Sequence, residues 1–400
     1  MNQAGWDQRV DSVDPKYESD AIKKQRAQNR FAVRYALASI LSAAGIPATP
    51  KQTADYQSWS IVDEESLDEI PQYCEIEFVS RVLSTNIDWQ KELRSLFRVL
   101  HAECKLRLTT GCSMHVHVSP YDGRYTAEHL RKICKALCYF DNAITRVMPA
   151  ERKNNCWATS NVSGRGVAVN QKLKKAYSLL PAQSWKYLFE LFDKTVTPKH
   201  VYQLLSGNYE SRYVSWNFEN VTQPCGTVEF RRPPGADSAA KAIHWAGFTL
   251  GFVARALAMD WAPFVSLKTV GSVTDLEQFI IQGLQKLGPT SQPAALGRRI
   301  VEDTSAPTVL TPAQLSAIER KKKNKDKSKS PFVEKASRSS VLLWLWQECA
   351  NISPRLVHGP TLQLSNLENL AVNFSCGSCP VSAQDRTQGG RTGRMSPRRR

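Results

Sequence analysis

The residues best suited to chemistry lie in three short apolar segments, each with charged or imidazole side chains two residues apart. His115 and His117 flank Val116 in CSMHVHVS (112–119). Glu75 and Glu77 flank Ile76 in YCEIEFVS (73–80). Glu229 and Arg231 flank Phe230 in GTVEFRR (226–232). In an extended strand residues i and i+2 share a face, so each polar pair points one way and its apolar neighbours the other. A single such stripe is what the wet face of an antiparallel sheet looks like and needs no function. Three stripes of ligand-type residues are less ordinary, because a merely solvated face would more often carry Thr, Lys and Gln. Carboxylates with imidazole suit a divalent cation, Mg²⁺ or Mn²⁺, and the histidine nitrogen favours Mn²⁺. A guanidinium beside those carboxylates suits phosphate oxygens.

Helical and strand periodicities alternate around these segments. Residues 18–44 have a helical pattern that Gly45 and Pro47 end. Strands are expected at 58–63, 73–80, 112–119, 212–218 and 226–232. Helices are expected at 88–104, 126–148, 183–193, 197–205 and 238–259, and further ones at 273–287, 311–323 and 338–350. Residues 151–180, rich in Asn, Ser and Gly, read as irregular. This order predicts an α+β fold, a largely antiparallel sheet packed by helices. The apolar window 242–259 contains His244, Gly247, Gly251 and Arg255, which suits a buried helix better than a bilayer span. Neither GxGxxG nor GxxxxGK[ST] occurs, so no dinucleotide fold or P-loop is signalled.

The chain has 400 residues, 53 Lys and Arg against 37 Asp and Glu, and a net charge of +16. That excess first suggests nucleic acid or an acidic surface. Its distribution argues otherwise. Residues 311–400 hold 16 Lys and Arg against 6 Asp and Glu, a net of +10, which leaves +6 for the first 310. The excess sits in the run RKKKNKDKSK (320–329) and in the end RTQGGRTGRMSPRRR, both of disordered-type composition. The expected organisation is a core over 1–265, a helical appendage over 266–350 with a basic linker at 320–330, and a basic tail over 351–400. The polar, acidic N-terminus has no signal-peptide pattern, which implies a cytoplasmic location; the basic runs also suit a nucleus. The ten cysteines then read as reduced, and Cys376 and Cys379 alone make a weak zinc signal.

The motifs together resemble the amidoligase family, related to glutamine synthetase and other carboxylate–amine ligases. They are WSIVDEESL (59–67) with EIEFVSRVL (75–83), CSMHVHVSP (112–120), and RYVSWNF with GTVEFRRPPG (212–235), in the family's order over roughly residues 20–265. The resemblance implies a fold like the glutamine synthetase catalytic domain, with an antiparallel sheet as a trough. It implies ATP- and Mg²⁺- (or Mn²⁺-) dependent formation of an amide from small-molecule or peptide carboxylate and amine substrates, through an acyl phosphate. By position it implies Glu77, His115 and Glu229 as metal ligands. Arg231 would contact phosphate and take part in catalysis with Arg212, Asn217 and His117. Asp63 and Arg152 would bind substrate. Family members begin with a Glu-x-Glu strand before the first long helix. None precedes Tyr17 here, so one edge of the trough and at least two ligands are expected to be missing, and Arg81 stands where Pro is common.

Other functions compete with the ligase. One is a catalytically inactive relative that acts as a binding or scaffold protein. Another is a zinc hydrolase or oxygenase built on the HxH strand, and a third is a nucleic-acid binder that uses the basic tail. His101, His129 and His200 read as surface residues, and His244 as a hydrogen-bonded core residue. Cys134 and Cys138, at i and i+4, read as core packing, and so do Trp344 and Trp346.

Overall fold

The computed structural model describes residues 19–328 and 370–375, apart from residue 54 and the segments 65–66, 68–72, 121–122, 164–170, 181–183, 207–211 and 289–290. The first half runs α1 (Asp20–Ala43), β1 (Ala48–Thr49), β2 (Trp59–Asp63), β3 (Ile76–Val79), β4 (Leu83–Ser84), α2 (Trp89–Glu103), β5 (His115–Pro120), α3 (Ala127–Arg146), α4 (Ala150–Lys153), α5 (Gln171–Ser178), α6 (Lys186–Asp193) and α7 (Pro198–Ser206). It continues through β6 (Trp216–Asn217), β7 (Val228–Phe230), α8 (Ala239–Ala258), α9 (Val273–Leu284), α10 (Pro312–Ser328) and β8 (Leu370–Ser375). The fold is α+β, as expected. Local chemistry sets the helix starts. The Asp88 carboxylate accepts from Lys91 N at 2.9 Å to cap α2. Thr126 and His129 form a capping box on α3, so His129 has a local task that its sequence position hides.

Two sheets carry the polar segments. The smaller has the order β1-β2-β3, with β1 parallel to β2 and Val62 opposite Glu77 on the antiparallel pair β2/β3. The larger has the order β4-β8-β5-β7-β6, with antiparallel neighbours throughout. Val116, Val118, Val228 and Phe230 turn the apolar face of β5 and β7 toward α8, and all four are fully buried. Phe230 stacks on Trp216 at 4.4 Å and on Phe248 of α8 at 5.7 Å between ring centroids. Helix α8 is apolar around nearly its whole circumference, which makes it the central core helix rather than an amphipathic surface one. Among the described residues no helix is long and apolar enough to cross a membrane.

At Gly251 and Gly283 helices α8 and α9 meet backbone to backbone. A Cβ on Gly283 would sit 1.8 Å from the Gly251 carbonyl oxygen. His244, on the same helix, donates from Nδ1 to the Leu296 carbonyl at 2.7 Å. Burial pushes its imidazole down to about 4, so it is a neutral core residue near pH 7.

The structure departs from the sequence reading in four places. Helix α5 forms inside 151–180, which reads as irregular, and α4 runs into its start. The strand expected over 212–218 is regular only at Trp216–Asn217. Helix α10 continues through the basic run to Ser328. Finally, β8 comes from within the segment expected as a tail (351–400), and it is an inner strand. It pairs with β4 on one side and, from His115↔Ser375 to Pro120↔Leu370, with β5 on the other. The reason is that β5 is buried, so its backbone groups need partners on both edges. The helix expected at 338–350, Trp344, Trp346 and the Cys376/Cys379 pair lie outside the described residues.

Gly283→Ala should lower stability by about 2 kcal/mol or more, because a methyl there overpacks a backbone-to-backbone contact that cannot relax cheaply. Urea unfolding followed by far-UV circular dichroism measures this, and an unchanged midpoint would contradict the close contact.

Candidate active site

Strand pairing, rather than any loop, gathers the chemistry. Register puts His117 opposite Glu229 on β5/β7 and Asn217 opposite Glu229 on β6/β7. Directly opposed residues share a face. The Glu229 carboxylate therefore lies at the centre of a polar cluster. Its Oε1 is 3.3 Å from His115 Nδ1 and 3.5 Å from His117 Nε2, and it accepts from Arg231 Nη1 at 2.5 Å. Its Oε2 accepts from Asn217 Nδ2 at 2.8 Å. All five residues are buried. Burial by itself would raise the Glu229 carboxyl. Arg231, then His117 and His115, outweigh that and hold it well below the usual carboxylate range.

Neighbouring residues fix these side chains in turn. Ser113 Oγ lies 3.1 Å from His115 Nε2, and Thr227 Oγ1 lies 3.1 Å from His117 Nδ1. Arg231 is held through its backbone, with its N–H on the Ser215 carbonyl at 2.8 Å. Arg152 is buried behind it and donates from Nε to the Arg232 carbonyl and from Nη2 to the Arg231 carbonyl, at 2.8 and 2.7 Å. Arg232 faces the buried Asp141 and donates to Thr145 Oγ1 and the Lys153 carbonyl. Asp141 accepts from Ser160 and Ser163; burial raises its pKa against the pull of Arg232 and those hydroxyls.

Glu77, Asp63 and Arg212 lie on other elements. Glu77 is buried on β3, in the smaller sheet. Asp63 forms ion pairs with α1, its Oδ1 3.2 Å from Arg34 Nε and 3.9 Å from Arg30 Nε. Arg212 is half-buried and stacks on the Tyr213 ring at 5.2 Å. Among the described residues no group of three or more His, Cys, Asp and Glu is spaced to hold a metal ion, and Glu77, His115 and Glu229 do not form one. At Glu229 the physical reason is plain. Arg231 takes Oε1, Asn217 takes Oε2, and a cation placed there would meet the guanidinium. An anion fits better. Arg231 Nε is buried with no hydrogen-bond partner among the described residues.

The strand that carries Glu229 and Arg231, beside the HxH strand and the Asn217 strand, is the pattern that sequence families can test. A family model described as "putative amidoligase enzyme" matches residues 16–253, more than half of the chain. The chain belongs to the amidoligase family. No curated protein and no solved structure matches it. The matched span ends inside α8, so every cluster residue of this amidoligase lies within it, whereas α10 and β8 lie beyond it.

Several contributors to the candidate site escape the motif reading. Ser113 and Thr227 each precede a cluster residue by two positions. Extending the i, i+2 alternation one step back would have found both. Asn161, whose side chain brackets the backbone of Trp216 at 2.8 Å on both sides, has no such signal.

Glu229→Gln leaves Arg231 buried without its counter-charge, which should cost about 3–5 kcal/mol. The pH dependence has a definite sign. The folded pKa lies below the ordinary 4.5, so the unfolded chain takes up protons first as pH falls. The stability difference between native and variant should shrink as pH falls from that ordinary value toward the lower folded pKa. Guanidinium unfolding at a series of pH values measures it.

Proposed function

We propose that this amidoligase joins a carboxylate to an amine, with ATP as the phosphoryl donor. The observation that carries the reading is the buried guanidinium of Arg231, paired to Glu229 through Nη1 and left with a free Nε donor among the described residues. Activating a carboxylate brings two anions together. A positive group that is already oriented and desolvated offsets their repulsion where charge develops. ATP would supply the phosphoryl group that turns the carboxylate into an acyl phosphate, and the amine would then displace phosphate.

The roles of the chain's own residues follow. Arg231 binds the anions. Glu229 keeps Arg231 oriented, and Asn217 fixes Glu229. His117, held at Nδ1 by Thr227 and facing Glu229 through Nε2, keeps that carboxylate in place, and the proton that the amine loses as the C–N bond forms leaves with the departing phosphate. His115 shares the Glu229 charge. We assign Arg212 to the substrate side, next to Tyr213. Arg152 we assign to holding the carbonyls of Arg231 and Arg232. Asp63 belongs to the α1–β2 ion pairs. Mg²⁺ or Mn²⁺ at Glu229 would need Arg231 to release that carboxylate. The reading carries with it a sheet used as in the glutamine synthetase catalytic domain, with one face active.

A specific observation favours a second reading. The cluster is already neutralised internally, as expected of a catalytically inactive relative that serves as a binding or scaffold protein.

Incubation with ATP, a divalent cation and mixed pools of carboxylates and amines should release ADP only when both pools are present. Arg231→Lys should lower that rate by about a hundredfold or more, since an ammonium cannot reproduce the oriented fork. Absence of nucleotide binding by calorimetry with either Mg²⁺ or Mn²⁺ would leave the inactive reading.

A further inference from the structure

A lysine from the basic run reaches a place where lysines are rarely found. Lys322 lies on α10, a polar helix, where the ordinary position of its ammonium is in water. Instead its side chain is only 13 % exposed. Its Nζ stands 5.0 Å from the centre of the Tyr213 ring and 5.6 Å from that of Trp157. The two rings meet edge to face at 5.3 Å. Glu319, one turn earlier, is 3.1 Å from the same nitrogen. Two aromatic faces and a carboxylate around one ammonium form the arrangement that recognises alkylammonium groups.

The receptor is continuous with the candidate site. Thr159 N donates to the Tyr213 carbonyl at 3.2 Å, and Ser215 N donates to the Thr159 carbonyl at 2.6 Å, which joins the Trp157 loop to the Tyr213 strand. Two residues past Tyr213, Ser215 accepts from Arg231 N; two further on, Asn217 holds Glu229. Tyr213 and Asn217 are thus no more than about 14 Å apart along the chain. The segment leading into α10 is tied over the same loop. Arg146 pairs with Glu302, Lys153 Nζ donates to the carbonyls of Asp303 and Ser305, and Thr308 N donates to the Ala150 carbonyl.

We propose that Trp157 and Tyr213 form a receptor for a primary ammonium on a flexible alkyl stem, and that the chain's own Lys322 occupies it. On the ligase reading this receptor holds the far ammonium of a diamine or lysine-type amine substrate, and α10 is a displaceable plug. An intramolecular occupant competes at an effective concentration in the millimolar range, so a free amine gains access only when Lys322 leaves.

The test uses the full chain without nucleotide, and Nα-acetyl-lysine methylamide as the probe in calorimetric titration. Lys322→Gln should bind the probe at least about tenfold more tightly than the native chain, the size expected of a desolvated cation–π site. Trp157→Ala in that background should abolish the gain. Trp157→Phe, which keeps a ring, should retain part of it and guards against a folding defect. Nα-acetyl-norleucine methylamide, with the stem but no ammonium, should not bind. No gain in Lys322→Gln, a gain that survives loss of Trp157, or equal binding of the norleucine probe overturns the proposal. ADP release is measured separately. If the probe binds but no ligation occurs, the receptor stands and the ligase reading falls. Amine-dependent ligation without the Lys322→Gln gain removes the receptor alone.

Discussion

The ion pair between Glu229 and Arg231 is the constraint around which the polar face of the larger sheet is built. A carboxylate buried there is costly unless every lone pair is used. Arg231, Asn217, His115 and His117 use them. His115, His117 and Asn217 come from strands that must be in register with β7 for the contacts to exist, whereas Arg231 follows Glu229 along the same segment. One charge therefore disfavours any one-residue slip of β5, β6 or β7, because a slip would turn its partners to the apolar face. On the proposed reading the same contact orients the guanidinium for an anion. Structure and candidate chemistry depend on one geometry.

A second buried network keeps that geometry from drifting. Arg152 and Arg232 do not extend toward solvent. They turn back to backbone carbonyls and to the Asp141 carboxylate. Guanidinium groups suit this task because they stay charged and present several donors in one plane. The turn after β7 is thus tied to α3 and α4 by side chains rather than by strand pairing, where the regular strand has already ended. Three consecutive positions, Arg231, Arg232 and the apolar Phe230 before them, serve three different surroundings.

The legible parts of the site were those written in a short period. His115, His117, Glu229 and Arg231 announce themselves because strand alternation repeats every two residues and needs no distant partner. Core elements such as α3 and α8 were legible for the same reason, through apolar periodicity and caps. Helix α5 was not, since QKLKKAYS carries only Leu173 and Ala176 as buried residues. The placement of Arg152 was not, because a single arginine after a helix stop looks the same whether it meets a substrate or a carbonyl. Trp157, Tyr213 and Lys322 lie far apart along the chain, and no local pattern links them. The sixfold pairing of β8 also lacked a signal, because LAVNFS is one short apolar run among many.

The position of β8 has a consequence for how the molecule comes into being. An inner strand of the larger sheet is supplied by residues 370–375, after every other described element has been made. Synthesis proceeds at about 5–20 residues per second, so β4 and β5 exist for many seconds before the strand that separates them. During that time α8 can already gather the apolar core, while the β5 edge waits. Its pairing closes a very long loop, the kind of contact that makes folding slow. The nascent chain must therefore keep a slot open for residues 370–375, and among the described strands this one decides when the sheet is finished.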